Sequence, residues 1–188
     1  MLFYPDLVKE KVNEIVLMGG GYAFGNSTGA AELNIYADPE AAQVVFSFGK
    51  PVVMCGLDVC HKAYIKKEEN ERFAAYDTKC ARLFYSLTDN VFAWHDQHPE
   101  ISDSDRGHDG AVIYDTVPVI YLLHPEIFET KKVPISVECG SDMCDGATVC
   151  TSRSRGPNAK PLIHTAVLGV DRDAYIKAVD ELLRNSEV

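Results

Sequence analysis

Residues 14–21 read EIVLMGGG, a short apolar run that ends in three consecutive glycines. Such a run is typical of a buried strand that ends in a turn. A second run, residues 51–55 (PVVMC), has the same character, and residues 38–48 between the two are predicted to form a helix. Asp38 can cap this helix, with a proline at its first position and Glu40 in its first turn. This order of strand, helix and strand favours parallel strands in an α/β fold.

The rest of the chain continues the alternation of helices and strands. We predict helices over residues 71–92, 115–123 and 171–183, and short strands over 133–137, 147–149 and 163–167, the first two strands forming a hairpin. The acidic, proline-interrupted segment 96–109 is predicted to be an exposed loop. The sequence therefore predicts a Rossmann-like α/β fold, with an open, mostly parallel sheet flanked by helices, in a single domain spanning residues 1–188.

Composition and charge exclude two classes of partner. With 18 Lys and Arg against 28 Asp and Glu, the formal net charge is −10, and no basic stripe interrupts it, so we expect no nucleic-acid partner. The longest uncharged apolar runs, such as residues 117–123, are far shorter than the ~20 residues that cross a bilayer, so we expect no membrane partner. The first residues lack the basic and apolar pattern of a secretory signal, and we expect a cytoplasmic protein.

Several short motifs fail on spacing. A dinucleotide-binding G-x-G-x-x-G counted from Gly19 needs glycine where the chain has Phe24. A calcium loop beginning at Asp103 needs glycine where the chain has His108. The pair His95-x-x-His98 supplies only half of a metal site, and two exposed loop histidines are the alternative interpretation.

The loop after the first predicted strand carries a group of polar side chains. Ligands of open α/β sheets bind at the carboxyl ends of the strands, where this loop begins. Asn26, Glu32 and Asn34 together offer the donors and acceptors that a polyhydroxylated ligand such as a sugar requires. The alternative is that these side chains only cap turns.

Separated stretches of the sequence also occur, in the same order, in a known family. They are residues 14–20, Asn26, and residues 32–42, 52–59, 110–115, 121–128 and 155–160. Together they resemble the inosine-uridine nucleoside hydrolases and cover most of the chain. The resemblance implies an N-ribohydrolase that splits the N-glycosidic bond of a ribonucleoside into base and ribose.

The resemblance also implies roles for individual residues. Asn26 and Glu32 would hold the ribose 5′-hydroxyl, Asn34 a ring hydroxyl, and Met18 would pack against the sugar. Asp115 would be a ligand of Ca²⁺, which in this family binds the ribose diol and the attacking water. Calcium favours oxygen ligands, and a metal lowers the pKa of its bound water. We therefore expect the polar trio of Asn26, Glu32 and Asn34 to meet Asp115 around a pentose.

Three further residues would serve the leaving base. Tyr114 stands where many members of the family have a histidine, whereas purine-preferring members have an aromatic residue there that stacks on the base. His95 and His98 fall in the region where the family keeps mobile leaving-group residues. The resemblance thus implies that one of the two histidines acts as the acid.

One departure from the family concerns its first strand. The family opens with an aspartate cluster, D-x-D-x-x-x-D-D, that supplies most calcium ligands and the catalytic base, and this cluster does not occur in the chain. Asp58 is not a substitute, because the family has the same run beside its complete cluster. We therefore expect the sheet to lack the family's first strands and to expose an apolar edge at residues 15–18.

Three hypotheses follow from this departure. The chain is a hydrolase that is incomplete alone, acting as a homo-oligomer or with a complementing chain that carries the aspartates. Alternatively, it is a non-catalytic nucleoside- or ribose-binding remnant, or an oligomerisation module. We expect Glu32→Ala to impair nucleoside binding and to leave folding largely intact.

Overall fold

The computed structural model describes residues 1–98, 110–151 and 162–186. Its helices are α1 (Pro5–Lys11), α2 (Leu33–Ala37), α3 (Pro39–Ser47), α4 (Leu57–Cys60), α5 (Lys67–Phe73), α6 (Lys79–Gln97), α7 (Thr116–Leu123) and α8 (Arg172–Asn185). Its strands are β1 (Ile15–Met18), β2 (Val52–Cys55), β3 (Phe128–Val137), β4 (Thr148–Cys150) and β5 (Ile163–Val170). Within the described ranges, none of the helices has both the length and the apolar character that a membrane crossing requires.

The described strands form one sheet in the order β1-β2-β5-β3-β4. β1 runs parallel to β2, with Ile15 opposite Val52 and Met18 opposite Cys55, and β2 runs parallel to β5. β3 and β4 pair antiparallel, as the predicted hairpin requires. The prediction of an α/β fold with a mostly parallel sheet is confirmed. β1 lies at one edge of the sheet with all four residues partly exposed, so the predicted apolar edge is also present.

The chain divides into two compact units. The first unit comprises Met1–Val59 and Phe128–Gly169 and contains most of the sheet, and the second comprises Cys60–Ile127 and Val170–Val188 and contains α5 to α8. The assignment of the whole chain to a single domain stays a prediction.

The first unit packs α2 and α3 around a core that includes the fully buried strand β2. Asp38 caps α3 as predicted, since its Oδ1 accepts a hydrogen bond from the backbone N–H of Ala41 at 3.0 Å. His164, on β5, is buried and links two elements. Its Nδ1 accepts from the N–H of Val52 at 3.2 Å, and its Nε2 lies 2.8 Å from the carbonyl oxygen of Phe46, to which it donates. Burial lowers the pKa of His164, so the neutral ring is the form that fits this core.

In the second unit, the prediction of one helix over residues 71–92 is wrong. The segment contains the end of α5 and most of α6, which are separated by residues 74–78. Thr78 explains the break, because its Oγ1 accepts from the N–H of Ala81 at 3.0 Å and donates to the carbonyl of Leu183 at 2.8 Å. The cap begins a new helix although the apolar spacing continues across the break.

The end of α6 also departs from prediction. The helix continues to Gln97, so the predicted loop is wrong at Asp96 and Gln97. Residues 99–109 of that predicted loop lie outside the described residues.

α8 is capped by Asp171 as predicted, and it carries an ionic cluster centred on Asp180. The Asp180 carboxylate accepts from the Tyr76 hydroxyl at 2.5 Å, from Arg184 at 2.8 Å and from Arg72 at 3.2 Å. Partial burial acts to raise the pKa of Asp180, but the bond from Tyr76 and the two guanidinium charges outweigh it, and the pKa lies below its ordinary value.

Candidate functional site

Glu32 ends the loop after β1 and begins α2, and its side chain is only 3% exposed. Its Oε1 accepts from the N–H of Asn34 at 2.9 Å, while Oε2 accepts from the N–H groups of Gly20 at 2.9 Å and Ile35 at 3.2 Å. The capping role that the sequence analysis gave as the alternative is therefore present. A carboxylate offers about four acceptor positions, and these bonds occupy three of them.

Asn26 lies on the surface of the same loop. Its Oδ1 accepts from the N–H of Leu33 at 3.0 Å, at the first residue of α2. The carbonyl of Ala31 fixes the loop beneath it by accepting from the amides of residues 26, 27 and 28 at 3.0 to 3.3 Å. Within the described residues, Nδ2 of Asn26 has no hydrogen-bond partner, and its two N–H donors are available to a ligand.

Asn34 is exposed on the first turn of α2. Its Nδ2 lies 3.2 Å from the sulfur of Met18, the last residue of β1. Its Oδ1 has no partner in the part of the chain that the structure describes, so it remains an acceptor. The contact ties the amide to the end of the edge strand.

The first unit thus brings together four of the predicted substrate-binding residues, which are Met18, Asn26, Glu32 and Asn34. They present amide donors, an amide acceptor, a carboxylate and a thioether. Sugar hydroxyls both donate and accept, and this mixture suits them. Their role in binding a ligand stays a prediction.

The sequence analysis did not select two residues that hold the turn after β1. Oγ1 of Thr148, on β4, accepts from the N–H of Gly21 at 2.9 Å. Oδ2 of Asp58, on α4, accepts from the N–H of Tyr22 at 2.5 Å. Thr148 is 127 residues from Gly21 and Asp58 is 36 residues from Tyr22, so no local sequence pattern marks either contact.

Tyr114 and Asp115 belong to the second unit, at the start of α7. Asp115 is exposed, and its side chain forms no capping bond to the helix. Tyr114 is half-buried, with its ring centroid 6.2 Å from that of His61. The meeting of Asp115 with the polar trio around a pentose stays a prediction.

His95 does not occupy a loop, and the sequence interpretation is wrong for this residue. His95 lies within α6 and is buried, while His98 follows the last residue of the helix. The ring of His98 stacks on Trp94 with centroids 4.6 Å apart, and its Nδ1 lies 2.9 Å from the Trp94 carbonyl oxygen. The helix extends this far because its last turn is closed by the His98 N–H, which bonds back to carbonyls of the preceding turn. Their role as leaving-group acids stays a prediction.

The described residues do not form a metal centre. Among them, no group of three or more His, Cys, Asp or Glu side chains is placed to hold a metal ion. Asp115 alone cannot replace the water around calcium, which takes six to eight oxygen ligands. The residues present therefore do not fit a complete calcium site.

Comparisons with known proteins agree with one another. The family model described as inosine-uridine preferring nucleoside hydrolase matches residues 1–177. The pyrimidine-specific ribonucleoside hydrolases RihA of Escherichia fergusonii and Salmonella newport are each 38% identical over 184 residues, which is 96% of this chain and 55% of each relative.

Two solved structures share the fold. The plant nucleoside hydrolase PpNRh1 superposes with a TM-score of 0.82 at 22% identity, over 96% of this chain and 56% of its own. The purine-preferring ribonucleoside hydrolase of Gardnerella vaginalis gives 0.77 at 24% identity, over 98% of this chain and 57% of its own. The chain thus spans about half the length of the relatives it matches.

Proposed function

Because this chain belongs to the inosine-uridine preferring nucleoside hydrolase family, we propose that it hydrolyses the N-glycosidic bond of ribonucleosides to base and ribose when completed by further polypeptide. The observation that carries the proposal is the family match over residues 1–177, which includes every predicted site residue. We also propose that the protein is located in the cytoplasm.

The sugar is bound by the first unit. Asn26 and Glu32 hold the 5′-hydroxyl, Asn34 holds a ring hydroxyl, and Met18 packs against the ring. Support comes from the unpaired donors of Asn26 and acceptor of Asn34. A hydroxyl placed there completes hydrogen bonds that the described residues leave unmade.

The leaving base is served by the second unit. Tyr114 stacks on the base, and its partial exposure supports this role. Either His95 or His98 protonates the departing base. His98 is the more accessible of the two.

Nucleoside hydrolases bind a metal, and in the proposal that metal is calcium with Asp115 as one ligand. The described residues do not supply the remaining ligands, so on their own they do not hold a calcium ion. The missing carboxylates come from a complementing chain that carries the aspartate cluster, since an oligomer of this chain would add no such cluster. The partly exposed edge strand β1 supports such a partner, because its outer backbone groups can pair with another strand.

A non-catalytic nucleoside- or ribose-binding protein is the second candidate function. It is favoured by the contrast between the polar groups of the first unit and the lack of a metal cluster among the described residues. An oligomerisation module is the third candidate, supported by the exposed apolar side chains of α7.

Release of ribose from inosine and uridine tests the proposal. The chain is assayed alone and mixed with the remaining segment of a RihA relative, each with Ca²⁺ and with a chelator. Calcium-dependent ribose release by the mixture, abolished by Asp115→Asn, is the expected result. Nucleoside binding without turnover in either sample would establish the binding protein, and neither binding nor turnover would leave the oligomerisation module.

A further inference from the structure

Three consecutive backbone amides after β1 are bound by three side chains from different elements. The N–H of Gly20 donates to Glu32, that of Gly21 donates to Thr148, and that of Tyr22 donates to Asp58, at 2.9, 2.9 and 2.5 Å. The acceptors lie at the start of α2, on β4 and on α4. A turn held in this way has a defined conformation before any ligand arrives.

The carbonyl groups of the same turn are also bound. The oxygen of Gly20 accepts from the N–H of Leu57 at 2.9 Å, and the oxygen of Gly21 accepts from the hydroxyl of Thr148 at 2.7 Å. The Thr148 hydroxyl therefore accepts from and donates to one residue, Gly21. A valine at position 148 would keep the shape of the side chain and lose both bonds.

Space around the turn is equally restricted. Gly20 has a φ of +75°, and a Cβ added to it would lie 2.8 Å from the sulfur of Met54 and 2.9 Å from Cγ2 of Thr148. Thr148 is itself buried, so the turn cannot relax towards solvent on that side. Thr148 thus lies against Gly20 through its methyl group and holds Gly21 through its hydroxyl.

This turn is connected directly to the proposed sugar site. Met18 lies two residues before Gly20 and contacts the amide of Asn34. Glu32 uses one oxygen, Oε2, for both Gly20 and Ile35, so a displaced turn changes how the carboxylate is held. Movement at Gly21 would therefore reach Met18, Glu32 and Asn34 through the chain and through one shared hydrogen-bond acceptor.

We propose that Thr148 is a positioning residue, whose hydroxyl fixes Gly21 and thereby holds Met18, Glu32 and Asn34 in the arrangement that receives a ribose. The proposal rests on the proposed function for the identity of the ligand. Its structural part, the dependence of the site on Thr148, can be tested without any ligand.

The test compares the full-length wild type with Thr148→Val, Thr148→Ser and the control Thr165→Val. Thr165 is also buried in the first unit, and its Oγ1 accepts a hydrogen bond from Lys132 at 2.6 Å. Thr165→Val therefore removes a buried hydroxyl that is not bonded to the turn. NMR reports the amide exchange of Gly21, the methyl signal of Met18 and the side-chain amide of Asn34. Calorimetry reports the Kd for uridine and inosine.

Thr148→Val is expected to increase the rate of amide exchange at Gly21 about tenfold and to raise the Kd for each nucleoside about tenfold. The NMR signals of Met18 and Asn34 are expected to shift. Thr148→Ser and Thr165→Val are both expected to give the wild-type signals of Met18 and Asn34. Their Kd values for nucleosides are expected to lie within about twofold of the wild-type value. If the wild-type chain binds neither nucleoside, the sugar site proposed on the first unit fails, whereas the NMR signals still decide the role of Thr148.

The proposal is overturned if Thr148→Val alters the Met18 and Asn34 signals no more than Thr165→Val does. If Thr148→Val does not fold, the wild type and Thr148→Cys decide instead. In wild type the Gly21 amide should exchange as slowly as that of Met54 in β2, and Thr148→Cys, with a weaker thiol bond, should give an intermediate rate. A Gly21 amide that exchanges as fast as that of the exposed Gly29 would refute the role.

Discussion

The loop of residues 19–34 and the helix α7 hold the two halves of the predicted site in very different ways. In the loop, side chains from distant elements bind successive backbone groups, and Glu32 alone binds three amides. At α7, Asp115 makes no capping bond, and Leu122 is 63% exposed although the helix is apolar. The predicted sugar-binding residues are therefore fixed by contacts within the first unit, whereas the predicted metal ligand Asp115 forms no capping bond to its own helix.

Among the substitutions that test this difference, Glu32→Ala is expected to have the largest effect. The substitution leaves three backbone donors without their acceptor, each at about 1–3 kcal/mol, so we expect a loss of about 3–5 kcal/mol in the free energy of unfolding. The sequence analysis expected folding to stay largely intact, whereas the burial of Glu32 and its bonds to Gly20 and to α2 predict a destabilisation. Urea denaturation measures the loss.

Asp38→Ala is the matched control for this prediction. Asp38 caps α3 through one exposed bond, and losing such a cap costs about 1 kcal/mol. A loss for Glu32→Ala no larger than that for Asp38→Ala would show that the loop is not fixed by its carboxylate.

Gly20→Ala probes the same loop through space rather than hydrogen bonds. We expect a loss of about 2 kcal/mol, because a side chain at positive φ is strained and the new Cβ would crowd Met54 and Thr148. Gly29→Ala is the control, since a Cβ at that position meets nothing within 4 Å. Equal midpoints in thermal denaturation for the two variants would contradict a tightly fixed turn.

Asp115→Asn probes the other half, where a small effect on folding is expected. Since Asp115 is exposed and caps nothing, stability should change by less than about 0.5 kcal/mol. Under the proposed function, however, the same variant should abolish calcium-dependent ribose release by the mixture with the RihA segment. A destabilisation as large as that of Gly20→Ala would show that Asp115 is already engaged within this chain.

Lowering the pH should destabilise the two units over different pH ranges, because a different side chain titrates in each unit. The pKa of His164 lies below its ordinary 6.5, so the unfolded chain protonates first and the first unit loses stability as the pH falls below about 6.5. The pKa of Asp180 lies below its ordinary 3.8, so its stabilising effect on the second unit is lost only as the pH falls below about 3.8.

The protection factors of backbone amides in β2 and in α8 follow the first and second units separately. Between pH 6 and 4, the protection factors in β2 should fall while those in α8 stay constant. Simultaneous changes in both signals would show that the titration of His164 does not act on the first unit alone.

Much of the fold could be predicted because its signals are local. The apolar run ending at Met18 became β1, and Asp38 and Asp171 became caps, because a cap and the amides it binds lie within three residues. The break before α6 was missed, because the apolar spacing continues across it. Thr78 marks the break in part through its bond to Leu183, which is distant in sequence.

The family, the α/β alternation and the polar side chains of the loop after β1 can all be recognised in the amino-acid sequence. In contrast, the buried capping role of Glu32, the helical position of His95 and the bonds of Thr148 and Asp58 to the turn emerge only in the folded chain. The two groups of features differ in the sequence separation of the interacting residues. Strand and helix patterns arise between neighbours in the chain, whereas the hydrogen bonds that fix residues 20–22 join groups up to 127 residues apart, which only folding brings together.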